Sequence, residues 1–366
     1  MSEYQYYEFQ ALDRPLTDEE QRAVSSLSSR VAPHPRRAVF VYNYGDFRGE
    51  PEELVANYYD AMYYVANWGT TRLMLRFPKE LVDVEQMAPY CLNDYISCEV
   101  VGDYVVLDMN QWQEEGYYEW VEGEGTLDGL LALREDILQG DYRTLYLAWL
   151  AGIDSWEMTE DVVEPPVPPG LQTPTPALRR FVEAFHLDEA LVKVAAEASA
   201  GRVQTPPLDL RQRIAALPQE TCEAWLLRLA QGEEPHLSLA FQRLLVPEGE
   251  GAPDTRQRRI VGELLALAEA EEDQRRRQAA AEAEARRIQA LEALAEKEEQ
   301  TWAFAEQLLE QGYGHYDEVV EMLVQLHDLA IHQGTEAIYE ARVQEIRNRY
   351  PRRKGLLNQM DEAGLP

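Results

Sequence analysis

The glycines around residue 125 have the setting of a phosphate-binding turn but not its spacing. Gly123, Gly125 and Gly129 follow a strand-like stretch and precede a helical one, as the glycines of dinucleotide-binding turns do. Their spacing is G-x-G-x-x-x-G, one residue longer than the binding pattern, and Glu122 and Glu124 would repel a phosphate. We therefore predict an acidic glycine loop at this position, and we expect no cofactor.

The spacings of cysteine and histidine do not predict a metal site. Six residues separate Cys91 from Cys98, whereas zinc sites usually place paired ligands two to four residues apart. His327 and His332 are five positions apart on one predicted helix, which turns them away from each other because metal-binding pairs prefer four. We expect no metal ligands and predict that Cys91 and Cys98 are free thiols.

Sequences typical of known enzyme classes are missing from the chain. Gly-x-Ser-x-Gly, His-Glu-x-x-His and the P-loop do not occur. Carboxylates for acid–base catalysis are abundant, but their number makes any choice among them arbitrary. We predict no catalytic residue. The sequence favours a protein that is not an enzyme, without excluding an enzyme.

Aromatic and arginine residues near the N-terminus form a candidate interaction surface. A predicted helix begins at Pro51, stops before Gly69 and is followed by a strand that carries Arg72 and Arg76 on its polar face. Aromatic and arginine side chains anchor many protein interfaces. The alternative is that these residues form a helix–sheet core with a solvated rim. The aromatic members are Tyr58, Tyr59, Tyr63, Tyr64 and Trp68.

Asp46 and Arg48 are the best polar candidates in a loop, because glycines flank them and loops at strand ends often carry function. The alternative is that both are ordinary turn residues.

A basic cluster near the C-terminus includes Arg352 and Arg353 and could contact phosphate. Glu336, Glu340 and Glu345 dilute its charge, so the alternative is a solvated helix face.

The net charge of the chain indicates which kinds of molecule it can bind. Acidic residues number 66 and basic residues 34, which gives a net charge of −32 and a surface that repels nucleic acid and anionic lipid. We expect a protein partner and no membrane, and we do not expect nucleic acid as a direct ligand. No signal peptide and no apolar run of about 18 residues is visible, so we predict a cytoplasmic location. The preference for Arg over Lys is typical of a GC-rich bacterial genome.

The N-terminal part predicts an α+β domain with a mixed sheet and helices packed against it. Strand-like runs alternate with helical ones, and Gly102-Asp103 between two strand-like runs indicates a two-residue hairpin. Thr17 and Glu20 form a capping box at the start of the first helix.

The rest of the chain predicts an all-α region. Six prolines between residues 164 and 176 indicate a stiff linker. We therefore predict five parts, which are an α+β domain over residues 1–160, a Pro-rich linker over 161–176, a helical region over 177–254, one long helix over 255–311 and a C-terminal helical bundle over 312–366.

The predicted long helix divides into three segments. Ile260, Leu264 and Leu265 should pack at its inner end, and Ile288, Leu291 and Trp302 at its outer end. No large apolar residue occurs over 269–287, and Glu-to-Arg spacings of four stabilise a solvated helix. A single-helix spacer is favoured, and a coiled-coil dimer with heptad-like spacing is the alternative.

Two stretches resemble known families. EFQALDRPLT at 8–17 and NWGTTRLMLRFP at 67–78 resemble an uncharacterised family of bacterial hypothetical proteins. The tail, with YDEVVEMLVQLHDLA at 316–330, RVQEIRNRY at 342–350 and LLNQMDEAGL at 356–365, is similar to the helical C-terminal part of bacterial SWIM-type zinc-finger proteins. The Cys-x-Cys and Cys-x-His pairs of a SWIM zinc finger do not occur, so the resemblance implies no zinc binding here.

The sequence favours a non-enzymatic scaffold or adaptor that bridges partners through two modules held apart by a long helix. One alternative is an accessory subunit of a nucleic-acid-processing system that works beside a SWIM-type partner. A second is an enzyme with a site on the N-terminal sheet, which a concave pocket lined by carboxylates and Arg76 would favour. The oligomeric state stays open.

Overall fold

The computed structural model describes residues 4–28, 34–45, 47–92, 95–112, 123–155, 158–201, 210–232, 236–245, 258–312 and 314–366. The chain forms two compact units, Met1–Glu271 and Glu272–Pro366. The predicted fold class is confirmed, because a sheet with helices is followed by an all-helical region. The finer domain bounds stay a prediction.

The first unit is built on a six-stranded sheet with the strand order β2-β1-β3-β4-β6-β5. Every pair of neighbouring strands is antiparallel. The prediction of a mixed sheet is therefore wrong in this detail. Gly102 joins the last two strands at a positive φ of 61°, which confirms the predicted hairpin. The strands are β1 Gln5–Gln10, β2 Arg37–Tyr42, β3 Ala61–Ala66, β4 Thr70–Pro78, β5 Ile96–Val101 and β6 Tyr104–Trp112.

The central strand β3 lies where a helix is predicted. Helix α2 begins at Pro51 as expected but ends at Asn57, and all six residues of β3 are buried. A strand covered on both faces reads as a continuous apolar run, which periodicity cannot separate from a buried helix. Tyr63, Tyr64 and Val65 are aromatic or β-branched, and this composition favours the strand.

Helices cover both faces of the sheet. Leu73, Leu75 and Phe77 of β4 face a larger core, which they share with several helices and with the first turns of the helix that begins at Val261. Met74 faces a second core shared with the first two helices. The helices on the second face are α1 Asp18–Ser26 and α2 Pro51–Asn57. Those of the larger core are α4 Thr126–Leu130, α5 Ala132–Leu138, α6 Arg143–Ser155, α7 Pro176–Ala184 and α8 Glu189–Ala198, and the short helix α3 Val84–Met87 lies at its edge.

The structure adds detail to two of the predicted parts, which are the helical region and the Pro-rich segment before it. The predicted helical region over 177–254 starts with two separate helices, because α7 ends at Ala184 and α8 begins at Glu189. The Pro-rich segment is packed within the first unit, since Tyr90 Oη donates to Pro166 O at 2.8 Å and Arg143 Nη1 donates to Gly170 O at 3.0 Å. Three further helices of the first unit are α9 Leu210–Ala215, α10 Gln219–Gln231 and α11 Leu237–Leu245.

The predicted long helix is shorter than expected. Helix α12 spans Val261–Ala295, and a turn at residues 296–297 separates it from α13, Glu298–Gln311. Its buried residues in the first unit are Val261, Leu264 and Ala268, whereas Ile260 and Leu265 are exposed, contrary to the prediction. Residues 269–287 of α12 are exposed or half-buried, as expected, and carry ion pairs such as Arg276 with Glu272 at 3.5 Å.

The second unit has its own apolar core. Trp302, Leu309, Leu323 and Met360 are buried, and Tyr339 Oη donates to Leu323 O at 2.8 Å. Its further helices are α14 Tyr316–Gln333, α15 Glu336–Arg349 and α16 Lys354–Glu362.

Candidate functional site

The predicted site residue Arg76 lies in the interior of the first unit. Its Nε and Nη2 donate to Asp60 Oδ1 at 3.1 and 2.7 Å, and its Nη1 donates to Ala56 O at 3.0 Å. Only 4% of its side chain is exposed, so Arg76 lies in the helix–sheet core that is the alternative to an interaction surface. The cause is α1 and α2, which cover the strand face that alternation marked as polar. The ring of Tyr104 lies 4.3 Å from the Arg76 guanidinium.

A second buried ion pair lies beside the first. Arg134 Nη1 and Nη2 donate to the two oxygens of Asp13 at 2.9 and 2.8 Å, and its Nε donates to Arg76 O at 2.7 Å. Backbone N–H groups of Leu12 and Asp13 donate to Asp60 Oδ2 at 2.7 and 2.9 Å. The two carboxylates are therefore fully engaged, which is the condition for a buried charge to be tolerated.

His236 joins this network from the start of α11. Its Nε2 lies 2.7 Å from Asp13 Oδ1, so the imidazole donates a proton at this nitrogen. Burial raises the pKa of Asp13, but the hydrogen bonds from His236 and Arg134 outweigh it and hold the pKa at about 2. His236 also has a φ of +61°, a backbone state that is strained for residues other than glycine. Strain, an altered pKa and buried charge together are typical of functional sites.

A cavity of about 850 Å³ opens next to the network. Its wall includes Asp13 and Arg76, together with Asp103, Tyr104 and Arg228 of α10. A smaller cavity of about 360 Å³ is lined by Arg134 and His236 and shares Asp13 with the first. A concave pocket with carboxylates and Arg76 in its wall is the arrangement that the enzyme alternative requires.

Arg72 and Trp68 lie on the same side of the sheet as Arg76. Arg72 donates to Asp108 through Nε and Nη2 at 2.8 and 2.5 Å and also pairs with Glu52. Burial lowers the pKa of Arg72, but the contacts with Asp108 and Glu52 raise it more, so the net shift is upward. Trp68 is half-buried against the core under α2. Both side chains support the packing of the unit, and their role in binding stays a prediction.

Of the two candidate residues in the loop, Asp46 and Arg48, the structure describes only Arg48. Arg48 is exposed, and Asp46 lies outside the described residues.

The C-terminal arginines are largely engaged in contacts within the second unit. Arg342 makes a two-pronged pair with Glu299 at 2.7 and 2.9 Å, and this contact lowers the pKa of Glu299. Arg353 Nη1 donates to Leu309 O at 2.5 Å, and its guanidinium lies 4.2 Å from the ring of Tyr350. Arg352 is exposed and, within the described part of the chain, forms no ion pair. The structure thus leaves fewer charges for phosphate than the sequence indicates.

An exposed apolar surface on α9–α11 was missed by sequence reasoning. The described residues of α9 and α10 include none that is buried. Leu226, Leu227 and Leu229 are 64%, 60% and 63% exposed. Periodicity predicts the helical region but not its burial, because a helix with apolar side chains looks the same whether its partner is in the chain or elsewhere. We define the α9–α11 apolar surface as Leu210, Ile214, Leu226, Leu227, Leu229 and Leu244.

The cysteines and histidines that the sequence singles out lie in different surroundings. Cys91 and Cys98 are free, as predicted, and half-buried. A hydrogen bond between their thiols lowers the pKa of Cys91 and raises that of Cys98. The ring of His327 stacks on Tyr339 at 5.0 Å. No group of three metal-ligating side chains occurs within the described ranges.

Comparisons with protein-family models, with curated proteins and with solved structures find no match to this chain. The resemblances of the two stretches to bacterial families therefore stay predictions. Across the described parts of the chain, no helix has both the length and the apolar character needed to cross a membrane.

Proposed function

We propose that the chain is a non-enzymatic adaptor whose first unit binds a protein partner through the α9–α11 apolar surface. The observation that carries this proposal is the exposure of six large apolar side chains on three helices of one unit. Scattered apolar residues are common on protein surfaces, but a group of this kind marks an interaction site. Burying the exposed part of each leucine would contribute about 1 kcal/mol to an interface.

The second unit offers a smaller apolar surface for a second partner. Ile331 and Ile338 are 48% and 69% exposed, and they flank the turn between α14 and α15. Helix α12 contributes residues to both units, so the two surfaces belong to parts of the chain that one helix joins. This arrangement supports a bridging role, and the cytoplasmic location expected from sequence belongs to the same proposal.

The adaptor proposal is tested by capture from the native host with the double variant Leu226→Gln and Leu229→Gln. Both side chains are exposed, so the helices should form as in the wild type, which circular dichroism checks. The expected result is one protein enriched by the wild type and by the control Ile338→Gln, and lost with the double variant. Equal enrichment by all three baits, or none above an unrelated bait, would contradict a partner site on this surface.

The two alternative functions, nucleic-acid binding and catalysis, rest on other features of the structure. The nucleic-acid alternative rests on Arg352 and Arg353. The structure weakens it, because Arg353 already donates a hydrogen bond to Leu309 O. The enzyme alternative is favoured by the cavity beside Asp13 and Arg76. Retention of nucleic acid at low salt that disappears when Arg352 is neutralised would favour the first over the adaptor.

A further inference from the structure

Two of the three cysteines of the chain lie side by side at an edge of the sheet. Cys98 belongs to β5, the last strand in the order of the sheet, and Cys91 follows a short 3₁₀ turn at residues 88–90. Their thiol groups are in hydrogen-bond contact. The third cysteine, Cys222, lies on α10. The chain therefore contains one pair of neighbouring thiols and one separate thiol.

The backbone holds the two neighbouring cysteines in place. Leu92 N donates to Ile96 O at 2.9 Å and Ile96 N donates to Leu92 O at 3.3 Å, so the residue after Cys91 is paired with the start of β5. Cys98 lies opposite Leu107 in the ladder between β5 and β6. A disulfide forms without backbone movement only where the two side chains already lie close together. The contact between the two thiols meets this condition.

The two thiols differ in how readily they lose a proton. The hydrogen bond from Cys98 lowers the pKa of Cys91, because it stabilises the Cys91 thiolate. The same contact, together with burial, raises the pKa of Cys98, which packs against the larger core. Since the thiolate is the nucleophile in disulfide chemistry, Cys91 reacts first. Both residues are half-buried rather than enclosed, so a small reagent can reach them.

We propose that Cys91 and Cys98 form a redox-active dithiol, which a small-molecule disulfide converts reversibly to an intramolecular disulfide. In the first step, the Cys91 thiolate attacks one sulfur of the small disulfide, and the other sulfur leaves as a thiolate that takes up a proton. In the second step, Cys98 gives its proton to the solvent and attacks Cys91 Sγ, which releases the second small thiol. The two protein thiols lose two electrons and two protons in total, and the small disulfide gains them.

This site is independent of the adaptor proposal, because neither cysteine of the pair lies on α9–α11. Oxidation links the edge strand β5 to the segment that precedes it in the chain. An excess of small thiol drives both steps backwards, so the pair responds to the ratio of oxidised to reduced small thiols around the protein.

The full chain in its reduced form, treated with oxidised glutathione, tests the pair. Free thiols are then labelled with an alkylating reagent, and the chain is cut with trypsin. No Lys or Arg lies between Lys79 and Arg134, so one peptide carries both cysteines of the pair, and Cys222 falls in another peptide. The expected result is the loss of both labels from the first peptide and a mass lower by two hydrogen atoms, both reversed by dithiothreitol. Two labels on this peptide, or glutathione retained on it, would overturn the proposal.

Cys98→Ser tests the order of the two steps. Glutathione should stay on Cys91 in this variant, because no second thiol is left to release it. Serine is similar in size to cysteine, so the fold should be unchanged, which circular dichroism checks. The matched control is Cys222→Ser, which should form the disulfide to the same extent as the wild type. A Cys98→Ser chain without glutathione on Cys91, or a Cys222→Ser chain without the disulfide, would contradict the assigned pair.

Discussion

The sheet and the α9–α11 helices of the first unit are packed in opposite ways. All residues of β3 are buried and both faces of the sheet are covered, whereas α9 and α10 bury none of their described residues. The sheet satisfies its charges internally, as Arg76 does with Asp60. The difference indicates that the sheet is complete by itself, while α9–α11 depends on a few anchors such as His236 and Leu237 and gains most from a partner.

The comparison predicts the largest loss of stability at the buried ion pair of the sheet. Arg76→Gln leaves the Asp60 carboxylate buried without its charged partner, so the free energy of unfolding should fall by about 3–5 kcal/mol. Urea unfolding followed by tryptophan fluorescence measures the change. Arg48→Gln removes the same charge from an exposed loop and should change it by less than about 0.5 kcal/mol. A similar small effect of both variants would show that the sheet interior tolerates the unpaired carboxylate.

The buried pairs also explain how far sequence reasoning reached. The capping box of Thr17 and Glu20 and the hairpin at Gly102 could be predicted, because each depends on neighbours within a few residues. The place of Arg76 could not, because alternation along β4 shows two faces but not that α1 and α2 cover the second one. The same limit prevented a prediction of the buried network, because Asp13 lies more than 100 positions from both Arg134 and His236 in the sequence.

Strand β3 was predicted as part of a helix for a related reason, and the exposure of helix α10 could not be predicted. Both are rich in large apolar residues, and the sequence carries no signal for whether another element covers them. Tyr63 and Tyr64 are covered on both sides of the sheet, whereas Leu226 and Leu229 are not covered by any described part of the chain. Burial thus depends on contacts between distant parts of the chain, which local sequence patterns do not show.

A second prediction concerns the pH dependence of the anchor between Asp13 and His236. The folded-state pKa of Asp13 is about 2, below its ordinary value of 3.8, so the pair stabilises the fold fully above about pH 4. This stabilisation is lost as the pH falls from about 4 through 2, where the folded-state carboxylate takes up its proton. The side chain is only 7% exposed, so the contribution should be about 2 kcal/mol.

Chemical unfolding at pH 7, 4 and 2.5 measures this contribution in the wild type and in Asp13→Asn. The variant should be less stable at pH 7 and should lose less stability between pH 4 and 2.5 than the wild type. The matched control is Asp18→Asn, an exposed carboxyl of α1, whose pH dependence should follow the wild type. A slope that is the same in Asp13→Asn and the wild type would assign the acid sensitivity to other carboxyl groups.

The smallest effect on stability is expected on the α9–α11 apolar surface. Leu226→Gln and Leu229→Gln replace exposed side chains, so each should change the free energy of unfolding by no more than about 0.5 kcal/mol. Because α10 has few buried contacts, its amide hydrogens should exchange with solvent well before those of β3, which hydrogen exchange with mass spectrometry resolves. A bound partner should slow exchange in α10 and leave β3 unchanged. If α10 of the isolated chain were as protected as β3, these helices would be packed by contacts within the chain, and their exposed leucines would not require a partner.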